Sequence, residues 1–297
     1  MQSAADSGVK RPASPSSLPF SVRPLAPQIG AEIGGLDLSR PLAEATFEAL
    51  EAAWHAHCVL LFRGQTLTEG EQVAFAERFG PLSKLALMKF KDRHPAVMFV
   101  SNIRENGELI GALPDGEMFF HSDQCYMERP AKATLLYAIE IPAQGGNTLF
   151  ANMYRAYETL PDALKRKIAG RRAMNIAEYN IGTINSSAIE RLDNPDPNTR
   201  RHAHPMVRTH PATGRKALYV NRLLSAYVEG MPRGESDALL RSLFDHQEQP
   251  GFAYEHAWKP GDLVIWDNRC TVHARTDFDA SERRLLRRVI VLGETPV

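Results

Sequence analysis

Glu117-Met-Phe-Phe-His-Ser-Asp-Gln-Cys-Tyr126 is aromatic, extended in character and without helical period. Its reading as strand rather than helix decides the kind of fold. In a strand, residues two apart face one side, so the His121 imidazole and the Asp123 carboxylate converge and could grip a single metal ion. The alternative at this point is a hydrogen-bonded His–Asp pair at a strand edge.

Outward from this stretch, further short β-rich runs recur at 58–62, 97–101, 133–139, 216–220, 252–258, 263–266 and 288–292, each bounded by Gly, Pro, Asp or Asn. Between them lie a few helices. Residues 43–57 place Phe47, Leu50, Ala53 and Trp54 on one stripe. Thr68 and Glu71 have capping-box spacing and open a helix that runs to Phe79 and stops at Gly80-Pro81. Residues 153–169 and 236–249 read as two more helices. Many short strands with a few decorating helices predict an α+β chain built on a β-sandwich or jelly roll. There is no βαβ alternation, and Gly145-Gly146 lacks the further glycines of a dinucleotide fingerprint. Residues 1–18, rich in Ser, Ala and Pro, read as a loose tail.

The 297 residues carry 35 Lys+Arg against 35 Asp+Glu, a formal net charge of zero. That balance argues against a nucleic-acid or anionic-membrane partner, since both need a basic excess. No apolar run approaches the roughly 20 residues that span a bilayer. Three scattered cysteines, Cys58, Cys125 and Cys270, make neither a disulfide framework nor a thiolate metal site. A cytoplasmic enzyme-sized protein is the expectation.

Among ten histidines, His-x-Asp/Glu occurs at His121-Ser-Asp123 and His246-Gln-Glu248. The second lies in a helix, where positions two apart diverge by about 200° and cannot share an ion. A two-ligand pair needs a third donor, and His273 is the best candidate, just after the buried-looking strand that ends at Trp266. His202 and His204 are a rival pair without a nearby carboxylate. His55 and His57 suit the C-terminal dipole of the first helix. His94, His210 and His256 show no partner. In 281–292, a strand would put Arg284, Leu286, Arg288, Ile290 and Leu292 on one face, with the two arginines roughly 13 Å apart. Guanidiniums on an apolar inward face must meet anions, because a buried unpaired charge is very costly; on an exposed edge they would instead discourage aggregation.

His121-x-Asp123, Gly145-Gly-Asn-Thr148, Trp266-Asp-Asn-Arg-Cys-Thr-Val-His273, Arg284 and Arg288 follow one another in an order and spacing that resemble the Fe(II)- and 2-oxoglutarate-dependent dioxygenases of the taurine dioxygenase and 2,4-dichlorophenoxyacetate dioxygenase family. Val59-Leu-Leu-Phe-Arg-Gly-Gln65, Phe79-Gly-Pro-Leu82 and Arg208-Thr-His-Pro211 agree with it. The resemblance implies a double-stranded β-helix (a jelly roll) with helices packed outside, forming one domain over 19–297. It implies a metal triad of His121, Asp123 and His273, with no catalytic side chain beyond that centre. Thr148 and Arg284 would bind 2-oxoglutarate and Arg288 a small anionic substrate. That substrate would be hydroxylated with O2 as 2-oxoglutarate becomes succinate and CO2. It further implies a homo-oligomer, dimeric or tetrameric.

Taurine-selective members carry a histidine shortly after the Phe-Gly-x-Leu segment and an asparagine four residues before the first metal histidine. Here Ser83-Lys84-Leu85-Ala86 and Glu117 stand instead. Both departures argue against taurine and for another sulfonate, a sulfate ester, an aryloxy acid or a carboxylate. Met118, Phe119, Phe120 and Tyr126 would either line an apolar pocket or fill core. A hydrolase using the same ligands around zinc, or a non-catalytic jelly-roll binder, are the competing classes.

Overall fold

The computed structural model describes residues 18–84, 94–111, 118–177 and 196–297. The expected tail up to residue 17 and Glu117 lie outside them. A seven-stranded major sheet runs in the order Ser21–Pro24, Ala31–Gly34, Val59–Phe62, Leu263–Asp267, Ala131–Glu140, Leu285–Leu292, Val97–Ser101. A four-stranded minor sheet has the order Ala253–His256, Thr148–Asn152, Thr271–Arg275, Met118–His121. Pairing is antiparallel except between Ala31–Gly34 and Val59–Phe62.

Period-two alternation in the major sheet explains the layering. Val59, Leu61, Leu136, Val264, Trp266 and Leu286 point to one core, where they meet Phe150, Ala151 and Val272 of the minor sheet. Their neighbours Leu60, Phe62, Leu135, Ile265, Val289 and Val291 point the other way, onto α1 (Glu44–His57) and α2 (Glu69–Glu77). Every strand that forms this sheet's centre is therefore apolar on both faces, as a sheet covered on both sides requires. The result is the jelly-roll architecture expected, with helices outside.

The α1 stripe is Phe47, Leu50 and Trp54, and the helix stops at Cys58, whose left-handed φ of 65° caps it. Cys58 thus belongs to the cap and not to the strand after it. The Thr68–Glu71 capping box is formed in both directions at the start of α2. The helix expected over 153–169 is instead two helices, α3 (Met153–Glu158) and α4 (Asp162–Ile168). Pro161 is the reason: it lacks an N–H and biases Leu160 away from helical backbone. The last helix, α5, spans Arg233–Gln247. The strand read from Arg288 begins earlier, at Leu285. No helix among the described residues is long and apolar enough to cross a membrane.

Candidate active site

The two sheets bring the candidate donors together at one edge of the minor sheet. His273 sits in the middle of Thr271–Arg275 and is paired directly with His121, the last residue of Met118–His121. Their rings are 4.1 Å apart between centroids. Asp123 does not share the strand face with His121, contrary to the sequence expectation. The chain leaves the strand at Ser122 and turns, with Gln124 at φ 57°, and the carboxylate swings back from that turn. His121 Nε2 lies 4.0 Å from Asp123 Oδ1, and His273 Nε2 lies 3.9 Å from Asp123 Oδ2. The three donor atoms are within 4.8 Å of one another.

Electrostatics favour a cation there. His121 Nδ1 is 2.9 Å from the Phe119 carbonyl, an acceptor only, so Nδ1 carries the proton and Nε2 presents its lone pair. Burial lowers the His121 pKa and takes that of His273, beside the His121 ring, down to about 3. Burial alone would raise Asp123. The surrounding His273, Arg288 and His121, with the Thr134 hydroxyl, outweigh it and hold the carboxyl at about 2. Two neutral imidazoles and one carboxylate form the donor set of a mononuclear first-row metal centre with open positions.

A cavity of about 180 Å³ opens from this cluster, walled by Met98, Val100, Met118, Leu136, Trp266 and Ala274. Thr148, Arg275, Arg284 and Arg288 line it too. Arg284 is 1% exposed. Its Nη2 donates to the Gly146 carbonyl at 3.2 Å, while Nε and Nη1 have no hydrogen-bond partner among the described residues. Burial, with Arg275 nearby, brings its pKa down to about 9. Such a group calls for an anion. Gly146, at φ 64°, permits the approach, since a Cβ there would lie 3.1 Å from Arg284 Nε. Thr148 opens its strand, and its Oγ1 accepts from Trp258 Nε1 at 3.0 Å. Arg288 Nη1 stands 3.5 Å from Asp123 Oδ1, and Nη2 reaches Met98 Sδ at 3.5 Å.

All six expected site residues meet at this cavity or at the donor cluster beside it. Of the flanking aromatic and thioether side chains, Met118 lines the cavity, whereas Phe120 packs on the core and Tyr126 on Cys125, Tyr219 and Leu224. Arg275 was not singled out from sequence, although it lies two residues after His273 and period two places it on the same face. The His202 and His204 rings lie 4.7 Å apart between centroids, but His204 Nε2 bonds the Met127 carbonyl and no carboxylate among the described residues joins them in a metal-binding group. His210 does have a partner, Asp267, at 2.9 Å. With His55 these form a second close group, yet Arg269 takes both Asp267 oxygens at 2.8 and 2.7 Å, which makes it an ion-pair network. His256 bridges Tyr254 and Asp262. His246 and Glu248 diverge, to Ala156 and Arg222, as the helical period requires.

A jelly roll with two imidazoles and a carboxylate at the mouth of an arginine-lined cavity defines the non-haem, metal-dependent dioxygenase class. Residues 21–290 match the family described as taurine catabolism dioxygenase TauD, TfdA family, and the chain belongs to that family. The alpha-ketoglutarate-dependent 2,4-dichlorophenoxyacetate dioxygenase of Cupriavidus pinatubonensis is 34% identical over 289 residues, covering 92% of this chain and 98% of that one. The alpha-ketoglutarate-dependent sulfate ester dioxygenase of Pseudomonas putida is 34% identical over 290 residues, covering 95% and 93%. The solved structure of AAD-2 in complex with Mn(II) and N-oxalylglycine superposes with a TM-score of 0.78 at 33% identity, covering 93% of this chain and 98% of that one. These kinships fit the dioxygenase and leave the hydrolase and the non-catalytic binder without support.

Proposed function

We propose that this dioxygenase, which uses Fe(II), 2-oxoglutarate and O2 as its family does, holds the iron on His121, Asp123 and His273. Thr148 and Arg284 bind the far carboxylate of 2-oxoglutarate, and Arg288 grips the anionic group of the substrate. The observation that carries this reading is Arg284: a buried guanidinium with two unfilled donors, lining the same cavity as the three donors. Bound there, the iron would let O2 act as the oxidant, one oxygen atom passing to the substrate as hydroxyl and the other to succinate as 2-oxoglutarate loses CO2. The chain's own part is placement. His121 is fixed as an acceptor at Nε2 by the Phe119 carbonyl, and the apolar walls keep the cavity poor in competing polar groups.

The substrate in this reading is a small organic anion: a sulfonate other than taurine, a sulfate ester, an aryloxy acid or a carboxylate. Arg288 supports it as a cationic side chain that touches both Asp123 and the apolar wall. The relatives that act on 2,4-dichlorophenoxyacetate and on sulfate esters support the same class. One domain over 19–297, a cytoplasmic location and a dimeric or tetrameric assembly complete the proposal.

The test is anaerobic. Fe(II) with 2-oxoglutarate should give the purified protein a visible metal-to-ligand charge-transfer band, and His121→Ala should lose it. Metal-loaded wild type without the band would overturn the assignment. A panel of sulfonates, alkyl sulfates and aryloxy acids, followed by succinate release under air, would then identify the substrate.

A further inference from the structure

The carboxylate of Asp123 is held from behind by a chain of buried groups whose direction is forced. Thr134 Oγ1 lies 2.6 Å from Asp123 Oδ2. Asn268 Nδ2 lies 2.9 Å from the same Thr134 oxygen. Thr134 and Asn268 are both fully buried. Asn268 Oδ1 receives two bonds, from Trp266 Nε1 at 3.1 Å and from the Asp123 backbone N–H at 3.2 Å. Both of those partners are donors only, so the Asn268 amide cannot be turned over, and its NH2 must face Thr134. Thr134 Oγ1 therefore accepts from Asn268, and its single proton is left for Asp123 Oδ2. The Asn268 backbone carbonyl also accepts from Ser122 Oγ at 2.8 Å, which ties the residue to the His121-x-Asp123 segment.

We propose that Asn268 is a positioning residue for the metal centre: acting through the Thr134 hydroxyl, it fixes the Asp123 carboxylate with Oδ1 turned toward His121. This rests on the iron reading above. The sheet supplies Thr134 and the tight turn after Asp267 supplies Asn268, so the carboxylate that leaves its own strand is re-anchored to two others. Outer partners of metal ligands commonly govern metal affinity by roughly 10- to 100-fold.

The substitutions that test it keep shape and change only the hydrogen bond. Thr134→Val removes the hydroxyl, and Thr134→Ser keeps it. Asn268→Asp puts an acceptor where the amide donor was and draws the Thr134 proton away from Asp123. Titration of each protein with Co(II), followed by its d–d absorption, should show Thr134→Val and Asn268→Asp weakened by roughly 10- to 100-fold and Thr134→Ser near wild type. Because the two residues act in series, the double variant should lose no more than the worse single one. Should Asn268→Asp fail to fold, the comparison of Thr134→Val with Thr134→Ser reads the same bond. Full-strength Co(II) binding by Thr134→Val, or losses that simply add, would overturn the proposal while leaving the iron site standing. Wild type that binds no metal would overturn the iron reading and this proposal together.

Discussion

Arg288 Nη1 lies 3.5 Å from Asp123 Oδ1, so the guanidinium that lines the cavity also touches the carboxylate at the oxygen that faces His121. One cation thus connects the donor cluster with the chamber where a substrate would sit. Its hydrogen bond to Met98 Sδ is weak, and its Nε has no hydrogen-bond partner among the described residues, so the guanidinium keeps donor capacity for a further anion.

Arg288→Ala should therefore lower kcat/KM for an anionic substrate by at least about 30-fold, the lower end of what truncating one partner of a desolvated charge pair costs. Substrate-independent decay of 2-oxoglutarate to succinate should persist, because Arg284 and Thr148 are untouched. Parallel assays of product and succinate separate the two. Intact substrate turnover in this variant would refute the role given to Arg288.

Arg284→Met should raise the KM for 2-oxoglutarate by about 30-fold or more, again because a desolvated charge pair is truncated. The same change should not lower the melting temperature of the ligand-free protein, since it removes a buried cation with two unfilled donors. Added 2-oxoglutarate, with a divalent metal present, should raise the melting temperature of wild type by several degrees and leave the variant unmoved. A variant that melts earlier and still responds to 2-oxoglutarate would contradict both statements.

His204 gives a pH dependence of stability. Burial, against the weaker pull of the Met127 carbonyl, lowers its pKa to about 4, and its Nδ1 is buried without a hydrogen-bond partner among the described residues. The unfolded chain keeps the ordinary value of about 6.5. Between these two the unfolded state binds a proton that the fold refuses, so stability falls as pH drops from 6.5 toward 4 and is unaffected by this group above 6.5. His204→Gln keeps a donor for Met127 and cannot ionise. Urea unfolding at pH 7 and pH 5 should show wild type losing about 2 kcal/mol more than the variant. Equal losses would show that His204 accepts its proton in place.

Thr68→Ala should cost about 1 kcal/mol by opening the capping box of α2, lowering the melting temperature by roughly 2–4 °C. Adding Glu71→Ala should cost little further, because the two side chains act as one reciprocal cap.

Much of this site could be read before any coordinates. His121, Asp123 and His273 stood out by residue type, and period two anticipated that Arg284 and Arg288 turn to one side, although Arg284 precedes the strand that carries Arg288. That strand does alternate, with Leu286 toward one core and Val289 and Val291 toward the other. What escaped notice depends on contacts across the chain. Asn268 meets Thr134 over a separation of 134 residues, and His210 meets Asp267 over 57. No local pattern announces such pairs, because sheet order decides them. Asp123 does come together with His121 and His273, but by another route, since a turn does what a strand face was expected to do. Pro161 is the opposite case: its effect on α3 and α4 is local and was visible in the sequence.

The alternation of Leu285–Leu292 has an evolutionary corollary. Losing a single residue between Arg284 and Arg288 would rotate one of them out of the chamber and into the helical layer, where Arg287 already bonds Gln72 and Leu67. Length variation is thus barred from this segment. New preferences among organic anions have to arise by exchange of wall side chains such as Met98, Val100 and Met118, which can change size without disturbing the spacing of the two cations.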